Sequence, residues 1–175
     1  PSLRHLNTNK YCPNKPHPVL ELTTLSYHDC LRLPTKCQLL LGTYTLQSNR
    51  AKFNQTQNST CLLCKSADES REHFLLQCVS LSSVRQPIIM DILSTLHHSI
   101  DLDIDTCTLL QVVLDASLLP CYDSLSLETA TNIEFLSRRL CHSLHMARSR
   151  LLDKLPTRTR HGLFNSPYPI IDQYS

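Results

Sequence analysis

The stretch LSLETATNIEFLSRRLCHSLHMARSRLLDKL, residues 125–155, decides the fold class. Ile133, Leu136, Leu140, Leu144, Ala147 and Leu151 recur at steps of three and four, which places them on one face of an α-helix. By the same count Arg138, Arg139, His142, His145 and Arg150 fall on the opposite face. The spacing therefore predicts a long C-terminal amphipathic helix with a basic outer side, stopped by Pro156.

The rest of the chain agrees with a mainly α fold. Leucine dominates the apolar residues, and the 175 residues hold only two glycines, Gly42 and Gly162, against ten prolines. So few glycines argue against a turn-rich all-β fold and against a glycine-rich phosphate loop. Working back from the long helix, TCTLLQVVLDASL reads as helix from Thr106 to Leu118. SSVRQPIIMDILSTLHHSI reads as another, with apolar positions 89, 92, 93, 96 and 100 and Pro87 in an early turn. A short helix is expected around Leu46–Phe53. A further helix fits between Glu21 and Leu41, with Pro34 in its first turn and Gly42 ending it.

The expected organisation is an extended N-terminal segment over residues 1–20, a helical domain over 21–155 and a tail over 156–175. The tail is either loose or docked through Phe164, Tyr168 and Ile170–Ile171. Pro1 in place of a methionine reads as the start of a piece cut from something longer. No run of about 18 apolar residues predicts a membrane span, and PSLRHLNTNKYCPNKPHPVL lacks the apolar core of a signal peptide. An intracellular protein, nuclear or cytoplasmic, is the expectation.

Charge is sorted along the chain. Residues 32–85 carry seven Lys/Arg and three acids, residues 91–134 eight acids and no Lys/Arg, and residues 138–160 seven Lys/Arg and one acid. The net +2 thus hides two basic zones around an acidic one.

Of nine cysteines, three cluster beside a histidine in CLLCKSADESREHFLLQC, residues 61–78. Cys61, Cys64, His73 and Cys78 follow the pattern C-x2-C-x8-H-x4-C. Two readings stand. The four are thiolate and imidazole ligands that close a tetrahedral structural metal site, or the cysteines are buried or disulfide-linked thiols beside a surface histidine. In the first reading the site falls within residues 59–80, with Ser70 or Asp68 capping a short helix that begins near Arg71. On a continuous α-helix, side chains five apart would point about 140° away from each other. Cys78 is therefore expected at or just beyond the end of that helix, with Phe74 and Leu75–Leu76 packing it down. Sequons at Asn54 and Asn58 matter only for a secreted protein, which is also what the disulfide reading requires.

Residues 39–78, LLLGTYTLQSNRAKFNQTQNSTCLLCKSADESREHFLLQC, resemble the C-terminal region of non-LTR (LINE-class) retrotransposon reverse transcriptases. The residues carrying the resemblance are Gly42, Leu46, Asn49, Arg50, Lys52, Phe53, Cys61, Leu63, Cys64, Glu69, Arg71, Glu72, His73, Phe74, Leu75 and Cys78. Leu62 departs from it, where such sequences often have proline. The resemblance implies a zinc knuckle binding one structural Zn²⁺, in a module that engages RNA or target DNA during target-primed reverse transcription as part of a larger polyprotein.

Catalysis is not implied. The chain has no Asp-Asp pair for a polymerase centre, and Asp101, Asp103 and Asp105 read as a solvated acidic loop. Nucleic-acid contact is expected from Arg50, Lys52, Lys65 and Arg71 around the cluster, and from Arg138, Arg139, Arg150 and Lys154 on the long helix, extended by Arg158 and Arg160. Tyr44 and Phe53 are the candidate stacking partners for bases. The competing class is a zinc-stapled protein-interaction module, with the acidic 91–134 region as its docking surface.

Overall fold

The computed structural model describes residues 5–11, 13–21, 27–54, 58–98 and 104–156. The tail beyond Pro156, including Arg158, Arg160, Phe164 and Tyr168, lies outside these, as do Cys12, Asp101 and Asp103. The fold is mainly helical. Among the described residues the α-helices are α1 (Pro18–Glu21), α2 (Tyr27–Leu41), α3 (Gln47–Phe53), α4 (Ser82–His97), α5 (Thr106–Asp115) and α6 (Leu127–Asp153). Thr60 and Asp68 form an isolated antiparallel β-bridge. No helix among the described residues is long and apolar enough to cross a membrane.

Local signals start and stop these helices. The Ser126 hydroxyl accepts from the Thr129 N–H at 3.0 Å to open α6, and the Asp105 carboxylate accepts from the Thr108 N–H at 2.7 Å to open α5. Gly42, at φ 71°, closes α2. Its N–H reaches the Leu39 carbonyl at 3.2 Å while the Thr43 N–H reaches the Gln38 carbonyl at 2.9 Å, the paired bonds of a left-handed helix cap.

The long helix is the axle of the domain, packing chiefly against α4 and α2. Its predicted stripe is inward: Ile133, Leu136, Leu140 and Leu144 are buried, with Ala147 and Leu151 half-buried at the end. On α4 the buried stripe is Arg85, Ile88, Ile92 and Leu96, with Ile89 partly buried against the core beside it.

Three expectations need correction. Arg138 is not on a solvent face; it is 0% exposed. Because α2 covers a second side of α6, the buried sector is wider than the apolar stripe. Arg138 donates to Asp29 of α2, to Glu134 at 2.9 Å and to the Val19 carbonyl of α1 at 2.6 Å. The equally buried Lys36 pairs with Glu134 and with the Ser137 hydroxyl, and that hydroxyl donates to the Val113 carbonyl of α5 at 2.7 Å. One buried network therefore ties α1, α2 and α5 to α6.

Pro34 lies inside α2, not in its first turn. It is tolerated on the exposed side of the helix, where Cys30, whose carbonyl loses its helical donor, is exposed too. Finally, residues 5–21 are not a free extended segment. The Asn7 N–H donates to the Asp115 carboxylate at 2.7 Å, the Asn7 side-chain amide donates to the Ser117 carbonyl at 2.6 Å, and Val19 is in the core.

Removing one member of the buried network strands its partners' charges. Arg138→Met is expected to cost about 3–5 kcal/mol, whereas the neighbouring exposed Arg139→Ala should change stability by less than about 0.5 kcal/mol. Denaturant unfolding of the two variants checks the contrast.

Candidate metal centre

The cysteine-histidine segment folds as two short pieces that face each other. In the first, the Thr60–Asp68 bridge closes a hairpin in which the Cys61 N–H donates to the Ala67 carbonyl at 2.8 Å and the Glu69 N–H to the Ser59 carbonyl at 2.9 Å. The tip turns back sharply: the Lys65 N–H reaches the Cys61 carbonyl at 2.9 Å, with Lys65 itself at φ 57°. This turn swings Cys61 and Cys64 to the same side.

The second piece starts where Ser70 caps it, its hydroxyl accepting from the His73 N–H at 3.0 Å. From His73 to Gln77 the chain winds as a π-helix, and the Cys78 N–H bonds the His73 carbonyl at 2.7 Å. A π turn takes in one more residue than an α turn, so residues five apart come round to the same side. This winding resolves the five-residue spacing between His73 and Cys78. Phe74 and Leu75 point into the core, where Phe74 stacks on Tyr44 with centroids 5.4 Å apart and planes 21° apart. The Arg85 guanidinium donates to the Cys78 carbonyl at 2.9 Å and holds the exit of the turn.

The result brings all four predicted ligands together. One donor atom each from Cys61, Cys64, His73 and Cys78 lies within 4.8 Å of every other. The Cys61 and Cys78 sulfurs are 3.9 Å apart, and Cys64 Sγ is 3.2 Å from His73 Nε2. Four-coordinate binding with metal–sulfur bonds of about 2.3 Å requires sulfur–sulfur separations of roughly 3.8 Å. A disulfide would need about 2.05 Å, and all three cysteines are free thiols here. The residues present therefore fit one metal ion with a closed ligand set.

The electrostatics of the thiols favour a cation. Burial pushes the Cys61 thiol up, and burial followed by repulsion from Cys61 pushes Cys78 up to about 12. Burial also opposes ionisation of Cys64, but hydrogen bonds from the Ser66 hydroxyl and amide and from the Cys61 and Cys78 thiols outweigh it, bringing Cys64 down to about 6. Nearby backbone N–H groups favour each thiolate: those of Leu63 and Cys64 for Cys61, of Ser66 for Cys64 and of Ser80 for Cys78. Oriented donors of this kind stabilise thiolates and fix ligand directions. Three sulfurs cannot all ionise together so close without a positive ion among them.

The spacing within the cysteine-histidine segment gave no sign of what fastens this site to the helices. Glu69, 1% exposed, accepts from Arg148 of α6 through both oxygens, at 2.8 Å from Nε and 2.9 Å from Nη2. The same carboxylate accepts from the Gln47 N–H of α3 at 2.8 Å. Burial disfavours the Arg148 charge, and Glu69 more than restores it. A signal was present, since Glu134, Arg138, Cys141, His145 and Arg148 repeat at steps of four and three, a second stripe beside the apolar one.

The predicted nucleic-acid contacts divide. Lys52, Lys65, Arg139, Arg150 and Lys154 are exposed. Arg139 faces Asp91 across 3.9 Å, a weak surface pair. Arg71 is half-buried and donates to the Leu39 and Leu40 carbonyls at 3.0 and 3.1 Å, completing the end of α2. Arg50 is half-buried near Arg148 and Glu69, and burial lowers its pKa. Arg138 is wholly internal. Tyr44 is buried under Phe74, its hydroxyl 2.8 Å from His145 Nδ1, so it presents no ring to a base. Of the acidic zone, Asp115 and Glu134 are buried within the chain itself, and Asp105 is a helix cap.

Purified protein should hold one metal ion per chain by elemental mass spectrometry. His73→Ala with Cys78→Ala should abolish it, and chelation should lower the melting temperature of the wild type but not of that variant. Comparison with family models, curated proteins and solved structures yields no match to this chain.

Proposed function

We propose that the chain is a non-catalytic nucleic-acid-binding module stapled by one structural Zn²⁺. It would act within a retrotransposon-type reverse transcriptase polyprotein, supporting target-primed reverse transcription in the nucleus or cytoplasm. The observation that carries this reading is the closed Cys61–Cys64–His73–Cys78 set, whose donor atoms all lie within 4.8 Å of one another. Three thiolates and an imidazole are a donor set Zn²⁺ prefers, and they leave no position for a water or substrate. When bound, the ion supplies a cross-link rather than a reaction, worth on the order of 10–16 kcal/mol in small zinc-finger peptides.

Nucleic-acid contact is supported by the exposed cations Lys52, Lys65, Arg139, Arg150 and Lys154 and by the residue pattern over 39–78. The half-buried Arg50 and Arg71 and the buried Arg138 serve the fold first. Binding through the exposed group would be electrostatic and tolerant of sequence.

The test is RNA and DNA binding by the zinc-loaded chain across a salt series. Affinity should fall linearly on a log–log scale. Lys65→Ala and Arg150→Ala should each weaken binding evenly across sequences and reduce the slope by about 0.7–0.9 per lost contact. No salt-sensitive affinity for either nucleic acid would sink this reading and favour the zinc-stapled protein-interaction module.

A further inference from the structure

The last turn of α3 and the metal loop enclose a cleft that neither the ion nor the core uses. Its volume is about 710 Å³, within the range of small-ligand sites and large enough for a nucleotide. Phe53 stands at its rim, 89% exposed, the most exposed large apolar side chain among the described residues. The lining combines donors and acceptors: the Gln111 amide, the Ser70 hydroxyl, the Lys52 ammonium, the Arg71 guanidinium and the Glu72 carboxylate.

We propose that this cleft seats one unpaired nucleobase of a single-stranded RNA or DNA, stacked on the Phe53 ring, with the adjoining phosphate against Lys52. The inference rests on the nucleic-acid reading above and gives that reading a specific site. The mixed lining suits the edge of a base, which carries donors and acceptors side by side. An exposed aromatic face stacks any base, and the start of the helix that carries Phe53 is anchored to the rest of the fold. The Ser48 hydroxyl donates to the Glu69 carbonyl at 2.8 Å, the Gln47 N–H is held by the Glu69 carboxylate at 2.8 Å, and the Asn49 amide grips the Tyr44 carbonyl at 2.9 Å. Ser70, Arg71 and Glu72 form the opposite wall immediately before the ligand His73, so the metal site shapes the cleft.

A base stacks on Phe53 only when it is unpaired, which sets the comparison. Fluorescence anisotropy would be recorded on the zinc-loaded full chain with labelled 12-nucleotide single-stranded RNA, the same sequence as DNA, and the matching duplex. The expected result is preference for single strands over duplex, a loss of roughly 5- to 100-fold in single-strand affinity for Phe53→Ala, and retained affinity for Phe53→Trp. Lys52→Ala should lower the single-strand salt slope by about 0.7. Phe53 is exposed, so these substitutions should leave zinc content and melting temperature at wild-type values. Equal binding by wild type and Phe53→Ala would overturn the base site while leaving the general reading intact. An equal loss in Phe53→Trp and Phe53→Ala would also overturn it, because any aromatic ring should serve. Failure of the wild type to bind any of the three would overturn both proposals.

Discussion

Everything at the metal end of the molecule depends on the pair between Glu69 and Arg148. Residues 59–80 carry too few apolar side chains to build a core of their own, and even a bound ion would leave their orientation open. Glu69 fixes it. Both charges are taken out of water, a penalty that only good geometry offsets; here both carboxylate oxygens meet the guanidinium, and one also receives the Gln47 amide. Two parallel bonds set an angle as well as a distance. The Glu69 side chain thus orients the loop toward α6 and α3 together, and the Ser48 hydroxyl on the Glu69 carbonyl adds a second tie to α3.

The same logic runs the length of α6. Its leucine stripe supplies most of the burial, but leucine contacts between helices tolerate sliding. Lys36 on Glu134 and Ser137, and Arg138 on Asp29, do not. A shift of one turn would leave charges buried without partners, which is far more costly than repacking methyl groups. Apolar area thus drives α2 and α6 together, and the polar stripe selects which turns meet. The network also reaches the Val19 and Val113 carbonyls, so the short α1 and the α5 layer are positioned by the same residues.

How much of this was legible in the sequence follows from the range of each signal. Helix α6, the caps at Ser70 and Gly42 and the four members of the Cys61–Cys64–His73–Cys78 cluster rest on residues close together in the chain, and spacing reports on those. Arg138 and Tyr44 were misplaced because their surroundings come from distant segments: α2 lies over one and Phe74 over the other. An arginine five positions from a buried isoleucine reads as solvent-facing unless a second helix covers that side. Pro34 shows the converse, a local rule overridden on the exposed side of a helix. The docking of residues 5–21 depends on Asp115, more than 100 residues away along the chain, and no periodicity encodes it.

The π turn joins the local and the distant parts. Four residues between His73 and Cys78 are wrong for an α-helix if both side chains must meet one ion, and right for an i→i+5 turn. The wider winding leaves Phe74 and Leu75 adjacent and both inward, so one five-residue element presents ligands on one side and core on the other. Isolated π turns are rare. This one is held at its entrance by the Ser70 hydroxyl, at its exit by Arg85, and from below by Tyr44 against Phe74. Since Ser70, Arg71 and Glu72 run directly into it, the winding that aims the ligands also places the wall of the cleft facing Phe53. Metal, core and cleft are therefore three faces of one short segment, and a residue inserted or deleted between His73 and Cys78 would displace all three together.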